Sequence, residues 1–80
     1  MTLNEIQEKV KAFLIDELEI DEEKITGAAR LKEDMGIDSL EVVDVVVLVE
    51  REFGFKMKNE DFKVVKTFDE FCAFIAEKVA

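Results

Sequence analysis

From Leu3 onward, Leu3, Ile6, Val10, Phe13, Leu14 and Leu18 recur at three- and four-residue steps, while Glu5, Glu8, Lys9, Lys11 and Asp16 fall off that stripe. This is the period of an amphipathic helix with one buried face. Phe68, Phe71, Cys72, Ile75 and Val79 repeat it to the chain end. The middle run Glu41 to Glu50 is rich in valine and could be read as a buried strand. Helix is predicted instead, because the charges at 41, 44, 50, 51 and 52 would occupy both faces of a strand and the run from Asp38 to Phe53 is long for one. Ile37 and Val42 also occupy the staple positions around an Asp38 cap.

Thr2, Asp38 and Thr67 each stand three residues before a Glu, the spacing of a reciprocal helix cap. Gly54 supplies a stop for the middle helix. The long connection Glu19 to Ile37 has Gly27 and Gly36 as turn points, and Ile20, Ile25, Leu31, Met35 and Ile37 are expected to pin it to the core. A short further turn is expected at Asn59 to Phe62, with Asn59 as its cap. The predicted fold is all-α: one domain over residues 1–80, a small three-to-four-helix bundle with a long loop between the first two helices.

At 100° per residue, Val45, Val46, Val49 and Phe53 share the core-facing side of the middle helix with Val42. Leu40, Val43, Asp44, Val47, Glu50 and Arg51 cluster on nearly the opposite side. Three apolar residues facing outward among acids describe a partner-binding surface, unless the fourth element or the long loop covers them.

Charge sharpens that picture. The 80 residues hold 20 acids against 11 bases, a formal net charge of −9. Nucleic-acid binding and insertion into an anionic membrane are disfavoured, and a basic protein patch is the natural partner. Between Glu33 and Glu52 seven acids face one base, Arg51.

The chain has no His, so the usual neutral-pH base is missing and a hydrolase is unlikely on chemistry alone. One Cys cannot form an internal disulfide, and no Cys/His cluster offers a zinc site. Cys72 reads as a buried core residue. A calcium loop opening at Asp21 would need glycine where Thr26 stands, so no metal site is expected. The first residues lack a signal-peptide pattern and no apolar stretch is long enough to span a membrane, so the expected location is cytoplasmic.

Ser39 is the only serine. It follows the Asp38 cap in the first turn of the middle helix, where free N–H groups and the helix dipole favour an anion. Without a histidine it is a poor nucleophile, and an attachment point for a phosphate-linked group fits better. A polar residue that merely supports capping is the other reading of the local chemistry.

The stretch Leu31-Lys-Glu-Asp-Met-Gly-Ile-Asp-Ser-Leu-Glu-Val-Val-Asp44, continuing to Glu50-Arg-Glu-Phe-Gly54, resembles the acyl carrier proteins and their Gly-x-Asp-Ser-Leu signature. The resemblance extends over the whole chain in size, acidity, loop and helix order. It implies that 4′-phosphopantetheine from coenzyme A is attached to Ser39, beside Asp38, by a phosphopantetheinyl transferase. It further implies a discrete, monomeric and non-catalytic carrier of acyl thioesters for fatty-acid or related enzymes. Leu40, Glu41, Val43, Asp44, Val47 and Glu50 would then face basic patches on those partners; five of the six lie on the outward face, and Glu41 lies to its side.

Departures from the common fatty-acid type are Met57-Lys58 in place of Ile-Pro, Phe62 in place of a small residue, Arg51 in place of an acid and Leu31 in place of an aromatic anchor. They leave open a carrier dedicated to another pathway, such as polyketide synthesis. A second-Gly pattern at Ile37, usual in peptidyl carriers, is absent. An unmodified acidic interaction module binding through Leu40, Val43 and Val47 is the alternative from a different class.

Overall fold

The computed structural model describes residues 2–79. Three helices, α1 (Leu3–Leu18), α2 (Ser39–Phe53) and α3 (Phe68–Val79), are joined by segments carrying short 3-10 turns at Glu22–Lys24 and Asn59–Lys63. The all-α bundle expected from the sequence is therefore present, its fourth element being the 59–63 turn. The expected continuation of α3 to the last residue lies outside the described residues.

The caps determine where the helices begin. Thr2 Oγ1 accepts from the Glu5 N–H at 3.2 Å, and Glu5 Oε1 accepts from the Thr2 N–H at 3.0 Å. Thr67 and Glu70 repeat this at 3.2 and 3.1 Å, and Glu70 also accepts from the Lys66 N–H at 2.9 Å. These bonds favour the charged carboxylates, so Glu5 and Glu70 both lie below the ordinary carboxylate range. At α2 only half of the box forms: Asp38 Oδ1 accepts from the N–H groups of Leu40 and Glu41 at 3.0 and 3.2 Å, and one oxygen thus meets both donors without a return bond from Glu41.

Gly54 ends α2 at φ 77°, a left-handed conformation that costs glycine little. Asn59 is not the cap of the 59–63 turn. That turn starts at Lys58, whose N–H donates to Asp61 Oδ2 at 2.9 Å, because the carboxylate three residues on reaches back to the preceding donor.

Ile6, Val10, Phe13 and Leu14 of α1 meet Phe68, Phe71, Cys72 and Ile75 of α3, with Val45, Leu48 and Val49 of α2 closing the core. Val46 and Phe53 are only partly buried, and Leu48, on neither face in the helical-wheel reading, is buried. The buried face of α2 is thus rotated by roughly 60° toward Val45 and Leu48. The radius of gyration, 11.2 Å, is what about 80 residues give when close-packed.

All five expected loop anchors, Ile20, Ile25, Leu31, Met35 and Ile37, are buried, together with Ala29. Backbone bonds then tie the loop to the start of α3: Leu31 N–H to Lys66 O at 2.9 Å, Phe68 N–H to Ala29 O at 3.0 Å, and Asp69 N–H to Gly27 O at 3.1 Å. They form an antiparallel bridge between Arg30 and Thr67. At Gly27 the approach is close: a Cβ there would sit 2.5 Å from Asp69 Oδ2.

Candidate functional site

Ser39 is exposed in the first turn of α2, immediately after its cap. Asp38 takes the Leu40 and Glu41 N–H groups, so among the described residues only the Ser39 N–H of that turn lacks an acceptor. The supply of free donors for an anion is smaller than the sequence suggested, because the capping carboxylate already occupies two of them.

A groove of about 840 Å³ opens beside Ser39. Its apolar side is Leu31, Ile37, Val42, Phe62 and Val65, contributed by the long loop, α2 and the 59–63 turn. Phe62 sits half-buried with its ring 5.7 Å from that of Phe71, so the bulky residue is seated on the core and shapes one wall. Arg30, Lys32, Lys63 and Lys66 also line the groove. Sequence reasoning missed these cations because they lie in two segments more than thirty residues apart, brought together by the Arg30–Thr67 bridge.

On the other side of α2, Leu40, Val43 and Val47 are 80%, 52% and 57% exposed, among the exposed acids Asp44 and Glu50. Neither the loop nor the 59–63 turn covers them. Glu41 is half-buried on the flank. Arg51, at the far end of this face, is turned to Glu17 of α1 at 3.1 Å. Cys72 is fully buried, and burial, followed by the Asp69 charge, pushes its thiol up to about 12, leaving it a core residue with negligible thiolate.

The family model described as "Phosphopantetheine attachment site" matches residues 8–75. The acyl carrier protein of Thermosynechococcus vestitus is 40% identical over 80 residues, covering 100% of this chain and 99% of that protein. The chain belongs to the acyl carrier protein family. The acyl carrier protein of Petrotoga mobilis is 37% identical over 79 residues (99% of this chain, 93% of the relative). That of Thermotoga maritima is 37% identical over 75 residues (94% and 93%).

The cofactor of the family is covalently attached 4′-phosphopantetheine, and interaction with acyl-processing enzymes follows from a carrier's role. The residues beside α2 fit such a group: an exposed primary hydroxyl for the phosphate link, an adjoining groove with an apolar side, and cations around it. Among the described residues no helix is long and apolar enough to cross a membrane.

Proposed function

We propose that Ser39 is the attachment site, and that the chain is a non-catalytic carrier delivering acyl thioesters to the enzymes of fatty-acid synthesis or of a related, dedicated pathway. The observation that carries this reading is the placement of the chain's one serine, exposed at the start of α2 beside the groove and inside the matched region. On loading, Ser39 Oγ forms a bond to the phosphorus of the pantetheine phosphate as the bond to adenosine 3′,5′-bisphosphate breaks. The hydroxyl proton passes to a base on the phosphopantetheinyl transferase, since this chain contains no histidine. Once attached, the arm supplies a thiol for thioester formation.

The chain's own residues bind and orient. Leu40, Val43 and Val47 are small exposed anchors, and Asp44, Glu50 and the flanking Glu41 steer them onto basic patches of partner enzymes. A tethered acyl group reaches its target at a concentration fixed by the arm, so weak and brief docking suffices. Residues 1–80 act as one monomeric carrier unit in the cytoplasm.

The test is intact mass after incubation with coenzyme A and a transferase. One phosphopantetheine unit is gained by the wild type and none by Ser39→Ala. Failure with several transferases, or modification that persists in Ser39→Ala, would refute the assignment and return the chain to an unmodified interaction module.

A further inference from the structure

The groove beside Ser39 runs against the character of the chain. Acids outnumber bases 20 to 11 overall, yet Arg30, Lys32, Lys63 and Lys66 line this one concavity against Glu33, Asp38 and Glu70. Two of those acids are committed to backbone donors: Asp38 caps α2, and Glu70 holds the N–H groups of Lys66 and Thr67. The cations are in no salt bridge among the described residues, although the Lys66 and Thr67 N–H bonds that hold the Glu70 carboxyl down are helped by the nearby Lys66 charge. Ion pairs among the described residues join Lys11 to Glu22 and Arg51 to Glu17, and none of the four groove cations takes part in one.

Three of the four are held near one another by main-chain geometry. The Leu31 N–H donates to the Lys66 carbonyl, which brings residues 30–32 alongside residue 66. Lys63 closes the 59–63 turn, whose Phe62 forms part of the apolar side. A groove with an apolar side and an unpaired cationic rim suits a chain that is apolar along its length and carries an oxyanion. Burial of methylenes on the first is favourable, and the second supplies charge-assisted hydrogen bonds.

We infer that this groove binds an oxyanion tethered at Ser39, and that it favours acyl cargo ending in a carboxylate, the half-thioester of a dicarboxylic acid, over neutral acyl cargo of the same length. This rests on the attachment of the arm at Ser39. The same chemistry has a second source in the arm's own phosphodiester, which would be drawn to the rim and away from Asp38. The lining favours the cargo: Leu31, Ile37, Val42, Phe62 and Val65 offer a phosphodiester nothing, whereas they accept the methylenes of an acyl chain.

The test compares four forms by backbone amide NMR: apo, phosphopantetheinylated, valeryl-loaded and glutaryl-loaded, each verified by intact mass. Valeryl and glutaryl have the same carbon count and differ by the terminal carboxylate. The glutaryl form should shift the amides of Lys32, Lys63 and Lys66 relative to the valeryl form. The difference should shrink in about 0.5 M salt, where screening lengths fall to a few ångströms. It should be lost in Lys63→Gln/Lys66→Gln, whose exposed substitutions leave the circular dichroism unchanged. If phosphopantetheinylation alone moves these amides and the two acyl forms then coincide, the phosphodiester is the bound oxyanion and the preference for dicarboxylic cargo is overturned. If neither step moves them, or the shifts persist in the double variant, the groove binds no oxyanion. A chain that gains no mass overturns the Ser39 assignment itself, and the tethered ligand with it.

Discussion

Asp38→Ala removes the acceptor of two backbone bonds, 3.0 Å from Leu40 N and 3.2 Å from Glu41 N, and a charge at the positive end of α2. Loss of a side-chain cap costs about 1 kcal/mol, and loss of the charge–dipole interaction about 0.5 kcal/mol more at an exposed terminus. The sum, about 1.5 kcal/mol, is large against the roughly 4–12 kcal/mol available to a domain this small. At about 4–8 °C per kcal/mol it lowers Tm by about 6–12 °C. Asp38→Asn keeps an oxygen where Oδ1 stands and loses only the charge, so its Tm falls by about 2–4 °C. Thermal unfolding followed by helical circular dichroism at low salt separates the two variants. Equal damage from both would mean that charge, not the pair of hydrogen bonds, starts α2. An unchanged Tm in Asp38→Ala would refute the capping argument altogether.

Gly54→Ala places a Cβ at φ 77° and should cost about 1 kcal/mol in urea unfolding, whereas Gly27→Ala, which has only to displace the exposed Asp69 carboxylate, should cost less. Cys72 should resist a thiol reagent at pH 8 in the folded protein and react at once in denaturant, and fast native labelling would show that the core opens at α3. Because the Glu5 and Glu70 carboxylates titrate below their unfolded values, their contribution is complete at neutral pH and is lost as pH falls through those lowered values. Glu5→Gln/Glu70→Gln should therefore flatten the acid side of the stability profile, and a profile identical to wild type would count against the two caps. Val43→Ser/Val47→Ser should leave Tm nearly unchanged, since both sites are exposed, yet slow transferase loading about tenfold, or 1.4 kcal/mol; unimpaired loading would remove these valines from the docking face.

Local chemistry was the most legible layer. Thr2, Asp38 and Thr67 could be read as helix starts because a cap is decided within four residues, and Gly54 as a stop because a left-handed residue favours glycine. The loop anchors were legible for a related reason: isolated apolar residues in a polar segment have only the core to go to. The orientation of α2 was less so. Eight of its residues are apolar valine or leucine, and only packing against α1, α3 and the loop decides that Leu48 turns inward while Val46 stays partly open. The outward face survived this rotation because Leu40, Val43 and Val47 lie opposite Val45. The basic groove was not legible at all. Arg30, Lys32, Lys63 and Lys66 are unremarkable in their own stretches of chain, and backbone bonds across thirty-five residues make them neighbours.

Those backbone bonds also bear on how such a chain can change over evolutionary time. The Leu31 to Lys66 and Ala29 to Phe68 links are made by main-chain atoms, which most substitutions preserve. The exposed side chains at 30, 32, 63 and 66 therefore sit on a frame whose width does not depend on their identity. A lineage could exchange these residues, reversing or erasing the charge of the groove, while the caps, the core and the serine-bearing turn remain as they are. Ligand preference and foldability are in this way inherited separately, and new cargo becomes accessible through surface mutations that the fold does not register.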